Sequence, residues 1–294
     1  HKMSQTKVEA PFVENNRPFR NLIINGDMSI SQRGASPLSS SGDSNYSLDT
    51  WKFTREGTFG DAQITVTQDT DVPTGEGFAK SLKCVCATAD TSVASNTISY
   101  IEQRFEGQNL QSIAKGTSGA KKMTYSFFCK SNLTGTFTIN FLDQDNTRQF
   151  STSYSLASAN TWERIIINVP ADTTGALDND NASSFTIQMN LQAGTDKSNG
   201  ALATAFEASA QGDRGVGQTN FFSSTSNNWY ITGVQWEVGD AATDFEFLPF
   251  DVQLQRCQRY YEKSYNLSVV PGTSTTYEGT TLAEVIADGT TTRI

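Results

Sequence analysis

Along most of this chain apolar side chains recur at every second position, and that alternation places them on one face of successive strands. Ala62, Ile64 and Val66 alternate with Gln63, Thr65 and Thr67. Leu82, Cys84 and Cys86 repeat the pattern, as do Met123, Tyr125, Phe127 and Cys129, then Phe137, Ile139 and Phe141. Farther on come Ile165, Ile167 and Val169, then Phe185, Ile187, Met189 and Leu191, and finally Tyr230, Thr232, Val234, Trp236 and Val238. Leu133-Thr134-Gly135 and Asp143-Gln144-Asp145-Asn146 read as turns between them. Roughly eight or more half-buried strands at this density predict an all-β antiparallel sandwich, specifically a jelly roll.

Two segments break the period of two. A short helical turn is expected around Gln108 to Ala114. Asp251 to Lys263 predicts an amphipathic helix, with Asp251 as cap and Leu254, Cys257 and Tyr261 at i, i+3 and i+7. So narrow a stripe does not stabilise a helix alone, so Leu254, Cys257, Tyr260 and Tyr261 are the expected oligomerisation contacts. The alternative is that the helix packs on its own domain. The expected organisation is an arm over 1–20, a sandwich over 21–250, the helix over 251–263 and a further β segment over 264–294. His1 and Lys2 precede Met3 and read as residues foreign to the native chain. Arg33 to Ser47 reads as a long polar loop.

Composition narrows the function classes. The formal net charge of -9 repels phosphate backbones and anionic lipid, which argues against nucleic acid as a partner. No run approaches the roughly 18 apolar residues of a membrane helix, and the amino end lacks the pattern of a secretory signal, so membrane insertion is not expected. His1 is the single histidine, which removes most nucleophilic triads and zinc sites. Cys84 and Cys86 lie two apart in an expected strand, about 6.6 Å between α-carbons, and read as buried apolar residues, not a disulfide or metal pair. Gly212 to Gly217 is glycine-rich but lacks the strand-to-helix context of a phosphate cradle, so a mobile surface loop is expected. The 31 Asp and Glu residues select no glycosidase pair. Asp143 to Asn146 and Asp178 to Asn181 could gather calcium ligands or be solvated turns.

What remains is aromatic chemistry, because sugar rings stack on Trp and Tyr while their hydroxyls bond to amides and carboxylates. Trp51, Trp162, Trp229, Trp236 and Tyr46 are the candidates by type. Trp51 and Trp236 sit among strand residues and read as core. Tyr46, in the polar loop, and Trp229, after Ser226-Asn227-Asn228, are the expected glycan contacts.

Two blocks carry a resemblance. Asn21-Leu22-Ile23-Ile24-Asn25-Gly26-Asp27-Met28-Ser29-Ile30-Ser31-Gln32-Arg33-Gly34 with Leu48-Asp49-Thr50-Trp51-Lys52-Phe53 resembles the start of a domain in phage tail fibre and other virion surface proteins. Gly233-Val234-Gln235-Trp236-Glu237-Val238-Gly239, Thr243-Asp244-Phe245-Glu246 and Leu254-Gln255-Arg256-Cys257-Gln258-Arg259-Tyr260-Tyr261 resemble its close. The resemblance implies a carbohydrate-binding jelly roll, sometimes with a structural calcium. It also implies a virion location after assembly in the host cytoplasm, a homotrimer, and as partners a host cell-surface polysaccharide and other virion proteins. The expected function is therefore non-catalytic binding of a host glycan by a virion appendage. A purely structural virion subunit and a two-carboxylate polysaccharide depolymerase are the alternatives.

Overall fold

The computed structural model describes residues 18–34, 38–40, 44–267, 269, 284–287 and 290–293. The expected arm falls outside these except for its last three residues. Two antiparallel sheets pack face to face. Sheet I runs in the order β1 (Leu38–Ser40), β4 (Gln63–Asp69), β5 (Ser81–Thr88), β13 (Asn228–Val238), β7 (Met123–Ser131), β10 (Glu163–Val169). Sheet II runs β12 (Glu207–Ala208), β9 (Arg148–Leu156), β8 (Gly135–Asp143), β11 (Ser183–Ala193), β6 (Ile98–Glu106), β3 (Lys52–Glu56), β2 (Ser44–Tyr46). From β5 to β13 the chain changes sheet at every step except β8–β9 and β11–β12, which stay in sheet II. The central orders β5-β13-β7-β10 and β6-β11-β8-β9 are those of a jelly roll. A separate hairpin joins β14 (Glu284–Ala287) to β15 (Thr290–Arg293).

The alternation that predicted the strands also fills the core. Cys84, Cys86, Tyr125, Phe127 and Cys129 from sheet I meet Phe137, Ile139, Phe141, Phe185, Ile187 and Met189 from sheet II, all buried. Each such side chain contributes about 1.5–3 kcal/mol on burial. Trp236 stacks on Phe185 at 5.1 Å and meets Phe105 edge-on at 5.2 Å. The four cysteines are free thiols and buried, which for Cys84 and Cys86 is in keeping with their reading as apolar residues.

The two sequence blocks meet in one hydrogen-bonded knot. Asn21 accepts from the amides of Ile23 and Trp236 and donates to the Val234 carbonyl. A register shift in β13 between Thr232 and Gln235 turns the Val234 amide toward the Gly26 carbonyl, 2.9 Å away. A β-carbon on Gly26 would lie 2.1 Å from the Val234 oxygen, so only glycine fits there. Asn25 bonds to both backbone groups of Ile30 and to the Asp49 carbonyl, while the Trp51 indole donates to the Asn25 carbonyl. The buried Asp49 carboxylate takes the backbone and side-chain N–H groups of Gln32, whose amide also reaches the Tyr261 carbonyl.

The helix, α1 (Phe250–Gln258), is shorter than expected and starts after Pro249 without a side-chain cap; Asp251 lies in its first turn. Its buried residues are Gln253 and Cys257, one turn apart. Cys257, expected at an intermolecular contact, is packed into its own chain, where burial and then the Asp49 charge push its thiol up to about 12. The helix seats on the knot of its own domain, the packing weighed as the alternative, and Arg256 reaches the Asn21 carbonyl at 3.5 Å. Leu254 and Tyr261 are half-buried and Tyr260 is exposed.

A polar cleft on the outer face of sheet II

The inward face of sheet II is apolar, and its outward face carries amides, hydroxyls and charges in cross-strand register. Lys52, Glu102, Gln188, Asn140 and Ser151 stand opposite one another across β3, β6, β11, β8 and β9. An outward face normally meets water, yet Glu102, Asn140 and Ser151 are fully buried and Gln188 nearly so. The cover is the segment between β11 and β13. Two of its three 3-10 turns, Thr195–Lys197 and Gln211–Asp213, are tied by bonds from Gly200 to Gly212 and from Gly215 to Lys197. A β-carbon on Gly215 would lie 2.3 Å from that of Ala193, so glycine lets the segment sit this close. The glycine-rich stretch expected to be a loose surface loop is instead pinned to the sheet, and it delivers a buried arginine.

That arginine, Arg214, donates to both oxygens of Glu56 at 2.8 and 3.0 Å and to the Gln188 side-chain carbonyl at 2.9 Å. Tyr100 donates to Glu56 at 2.5 Å. Burial alone would raise the Glu56 carboxyl, but the Arg214 guanidinium and the Tyr100 hydroxyl outweigh it and hold the group at about 2. Glu102 accepts from Thr54 and from Nε and Nη2 of Arg104. Asn190 donates to Thr138 and to the Arg214 carbonyl, and Asn140 links Asn190 to Ser151. Beside Glu56, Tyr100, Glu102, Gln188 and Arg214 opens a cleft of about 410 Å³, walled also by Leu142, Thr186 and Gln149, while Asn140, Asn190 and Ser151 lie outside its lining. Gln149 spends its amide N–H on the Ala210 carbonyl, and its buried oxygen has no protein partner; neither does Nε of Arg214.

The third carboxylate of the cleft, Asp143, belongs to the loop considered for calcium. Its oxygen faces the buried Lys115 ammonium, which also contacts Asp172 at 3.0 Å and the carbonyls of Thr174 and Gly175 at 2.9 and 2.8 Å. Arg148 closes the cluster on Asp172. A lysine thus supplies the positive charge inside this oxygen cage. Among the described residues no three His, Cys, Asp or Glu side chains gather as a metal site.

The expected glycan residues part company. Trp229 is fully buried, its indole donating to the Tyr154 hydroxyl at 3.2 Å, so it is a core residue: the polar triplet before it ends at the strand entrance and its own position faces inward. Trp51 and Trp236 are buried as expected, and Trp162 is half-buried, donating to Asp71 in the loop after β4. Tyr46 lies on the edge strand β2 and is 43% exposed. It lines a second, smaller groove with Tyr260, a residue expected to serve oligomerisation. Tyr100, Glu102, Gln188 and Arg214 were not anticipated. The signal was present in β6 and β11, where the positions alternating with Phe105, Ile187 and Met189 are amides and charges on adjacent strands.

No family model matches the chain, and no curated protein sequence matches it either. Among solved structures it is similar to the enzymatically active domain of bacteriophage CBA120 tailspike protein 4, at 17% identity and a TM-score of 0.36 over 76% of this chain. It spans 22% of that tailspike chain. It is also similar to a CBM4 structure, at 12% identity and a TM-score of 0.37, covering 73% of this chain and 98% of the other. A third is the family 11 carbohydrate-binding module of the cellulase Lic26A-Cel5E of Clostridium thermocellum, at 12% identity and a TM-score of 0.33, with 71% and 97% covered. The jelly-roll assignment rests on this chain's own sheet order.

Proposed function

We propose that this protein is a non-catalytic glycan-binding module of a phage virion appendage, and that the cleft on sheet II holds the host polysaccharide. The observation that carries the reading is the open cleft on sheet II and its polar lining by Glu56, Glu102, Gln149, Gln188 and Arg214. Hydroxyl-rich ligands are matched by such donors and acceptors, and beside the cleft Gln149 and Arg214 each hold one buried group without a protein partner. A glycosidase needs one carboxyl that stays protonated near neutral pH. Here Glu56 is held at about 2 by Arg214, far below that range, which favours binding over cleavage. The virion location and the trimer rest on the resemblance of the two sequence blocks. With Cys257 inside its own domain, the exposed Phe247 and Phe250 are the better trimer contacts.

Affinity electrophoresis and calorimetry against bacterial surface polysaccharides test the binding. Wild type should bind, and Gln188→Ala should weaken binding by about tenfold or more while the protein stays folded. Silence across the panel, or a Gln188 variant that binds as well as wild type, would remove the cleft as the site.

A further inference from the structure

The second groove is not separate from the cleft. Arg104 and Ser183 line both, so the two openings, of about 410 and 230 Å³, share a wall where β6 and β11 leave the sheet. The groove differs in kind from the cleft. Two exposed tyrosines, Tyr46 and Tyr260, face it, and cations surround them. Arg33 and Lys52 stand 5.2 and 5.8 Å from the Tyr46 ring, and Arg259 stands 5.9 Å from that of Tyr260. With Arg104 that makes four cations, set against Glu102, Glu106 and the buried Asp49. A chain of net charge -9 therefore has a local positive surplus at this place. Arg104 and Arg259 each hold their carboxylate through Nε and Nη2, and each keeps about half of its side chain in solvent, 47% and 50%. The outer edge of each guanidinium is left to a second planar anion.

We infer that the groove extends the cleft into one site for a linear polysaccharide and selects a chain bearing hexuronic acid residues. This deepens the proposed glycan binding and rests on it. The tyrosine rings offer stacking faces for pyranose C–H groups, and a sugar carboxylate matches the free guanidinium edge in a way that a hydroxyl does not.

The probes are polygalacturonate, alginate and hyaluronan, each beside its carboxyl-reduced form, which keeps the linkages and removes the charge. Calorimetry at about 0.05 M and about 0.5 M sodium chloride reads the charge dependence. At least one native polymer should bind roughly tenfold more tightly than its reduced form, with the difference shrinking at high salt. Arg259→Gln and Arg104→Gln should each lower that ratio, and Arg259→Lys should restore it only in part, because an ammonium lacks the planar fork. Tyr46→Ala should weaken native and reduced chains alike. Equal affinity for native and reduced polymers, or binding of neutral chains alone, overturns the acidic preference and leaves the cleft reading standing. Binding of a uronate that Gln188→Ala leaves untouched, while Arg259→Gln abolishes it, keeps the groove and overturns the cleft. Absence of binding to every polymer, at either salt, overturns both.

Discussion

The knot that ties the two ends of the sandwich and the cleft across sheet II are both built from buried polar side chains, but they close differently. In the knot the inner side chains Asn21, Asn25, Gln32 and Asp49 find their partners within the protein, while at its edge Trp236 Nε1, Gln253 Oε1 and Arg256 Nη1 are buried without one and face no cleft of this size. In the cleft the oxygen of Gln149 and Nε of Arg214 are buried without protein partners, beside an open volume. A saturated network specifies a fold, because every donor and acceptor holds one backbone arrangement in place. An unsaturated one beside a cavity is left for a ligand to complete. Variants of the first should cost stability, and variants of the second should cost binding.

The Lys115 cluster breaks the neat division by place, because Asp143 lines the cleft while its oxygens are saturated. By the argument from saturation it belongs with the knot. Lys115→Met leaves Asp143 and Asp172 buried with only Arg148 nearby, and should cost about 3–5 kcal/mol in urea unfolding. Chelation with EDTA should leave the wild-type midpoint unchanged, since the lysine is the cation of that cage. A chelator-sensitive midpoint would show that a metal stabilises the fold elsewhere.

Asp49→Ala is the matching test in the knot. It strips the acceptor from two N–H groups of Gln32 and should cost about 2–4 kcal/mol, with affinity for an uncharged, carboxyl-reduced glycan unchanged once the protein is folded. Lost affinity in a folded Asp49 variant would mean that knot and cleft are coupled.

The same contrast explains what was legible in the sequence. The core faces of β4, β5, β7, β8, β10, β11 and β13 could be read because burial of one face imposes a period of two on side-chain polarity. The knot's residues were visible as two blocks only through their resemblance to the start and close of a domain in virion surface proteins, since no period marks them. Their meeting across more than 200 positions, as in the Asn21 bond to Trp236, has no local trace. The cleft was hidden for a different reason. Tyr100, Glu102, Gln188 and Asn140 look like ordinary solvent-facing strand positions, and only the covering segment with Arg214 buries them. β9 went unseen because Ser and Thr weaken its alternation, and Trp229 was misplaced because the polar residues before it obscured its inward phase.

A pH titration sharpens the comparison with a smaller effect. The folded Glu56 carboxyl lies at about 2, below its ordinary 4.5, so its contribution to stability is present above about 4.5 and lost as pH falls toward 2. Its side chain is 38% exposed, so solvent screening reduces that contribution to the order of 1 kcal/mol. Arg214→Gln should return the Glu56 titration toward 4.5, seen by carboxyl NMR, and flatten the acid limb of the stability profile. A Glu56 that still titrates near 2 without Arg214 would assign the depression to Tyr100.

The smallest stability effect is expected at Gln149, where it is most informative. The side chain is fully buried between β9 and the covering segment; its N–H bonds to the Ala210 carbonyl and its oxygen bonds to nothing in the protein. Gln149→Met keeps the volume and removes both groups at once. Losing the Ala210 bond costs about 1 kcal/mol, and removing a desolvated acceptor returns a similar amount, so unfolding should shift by no more than about 0.5 kcal/mol. Binding has no such offset. If a sugar hydroxyl donates to that oxygen, the variant should lose severalfold in affinity at unchanged stability, as the unsaturated network requires. A Gln149→Met protein that is more stable than wild type by 1 kcal/mol or so and binds equally well would mark the unpaired oxygen as a packing defect and not as part of the site.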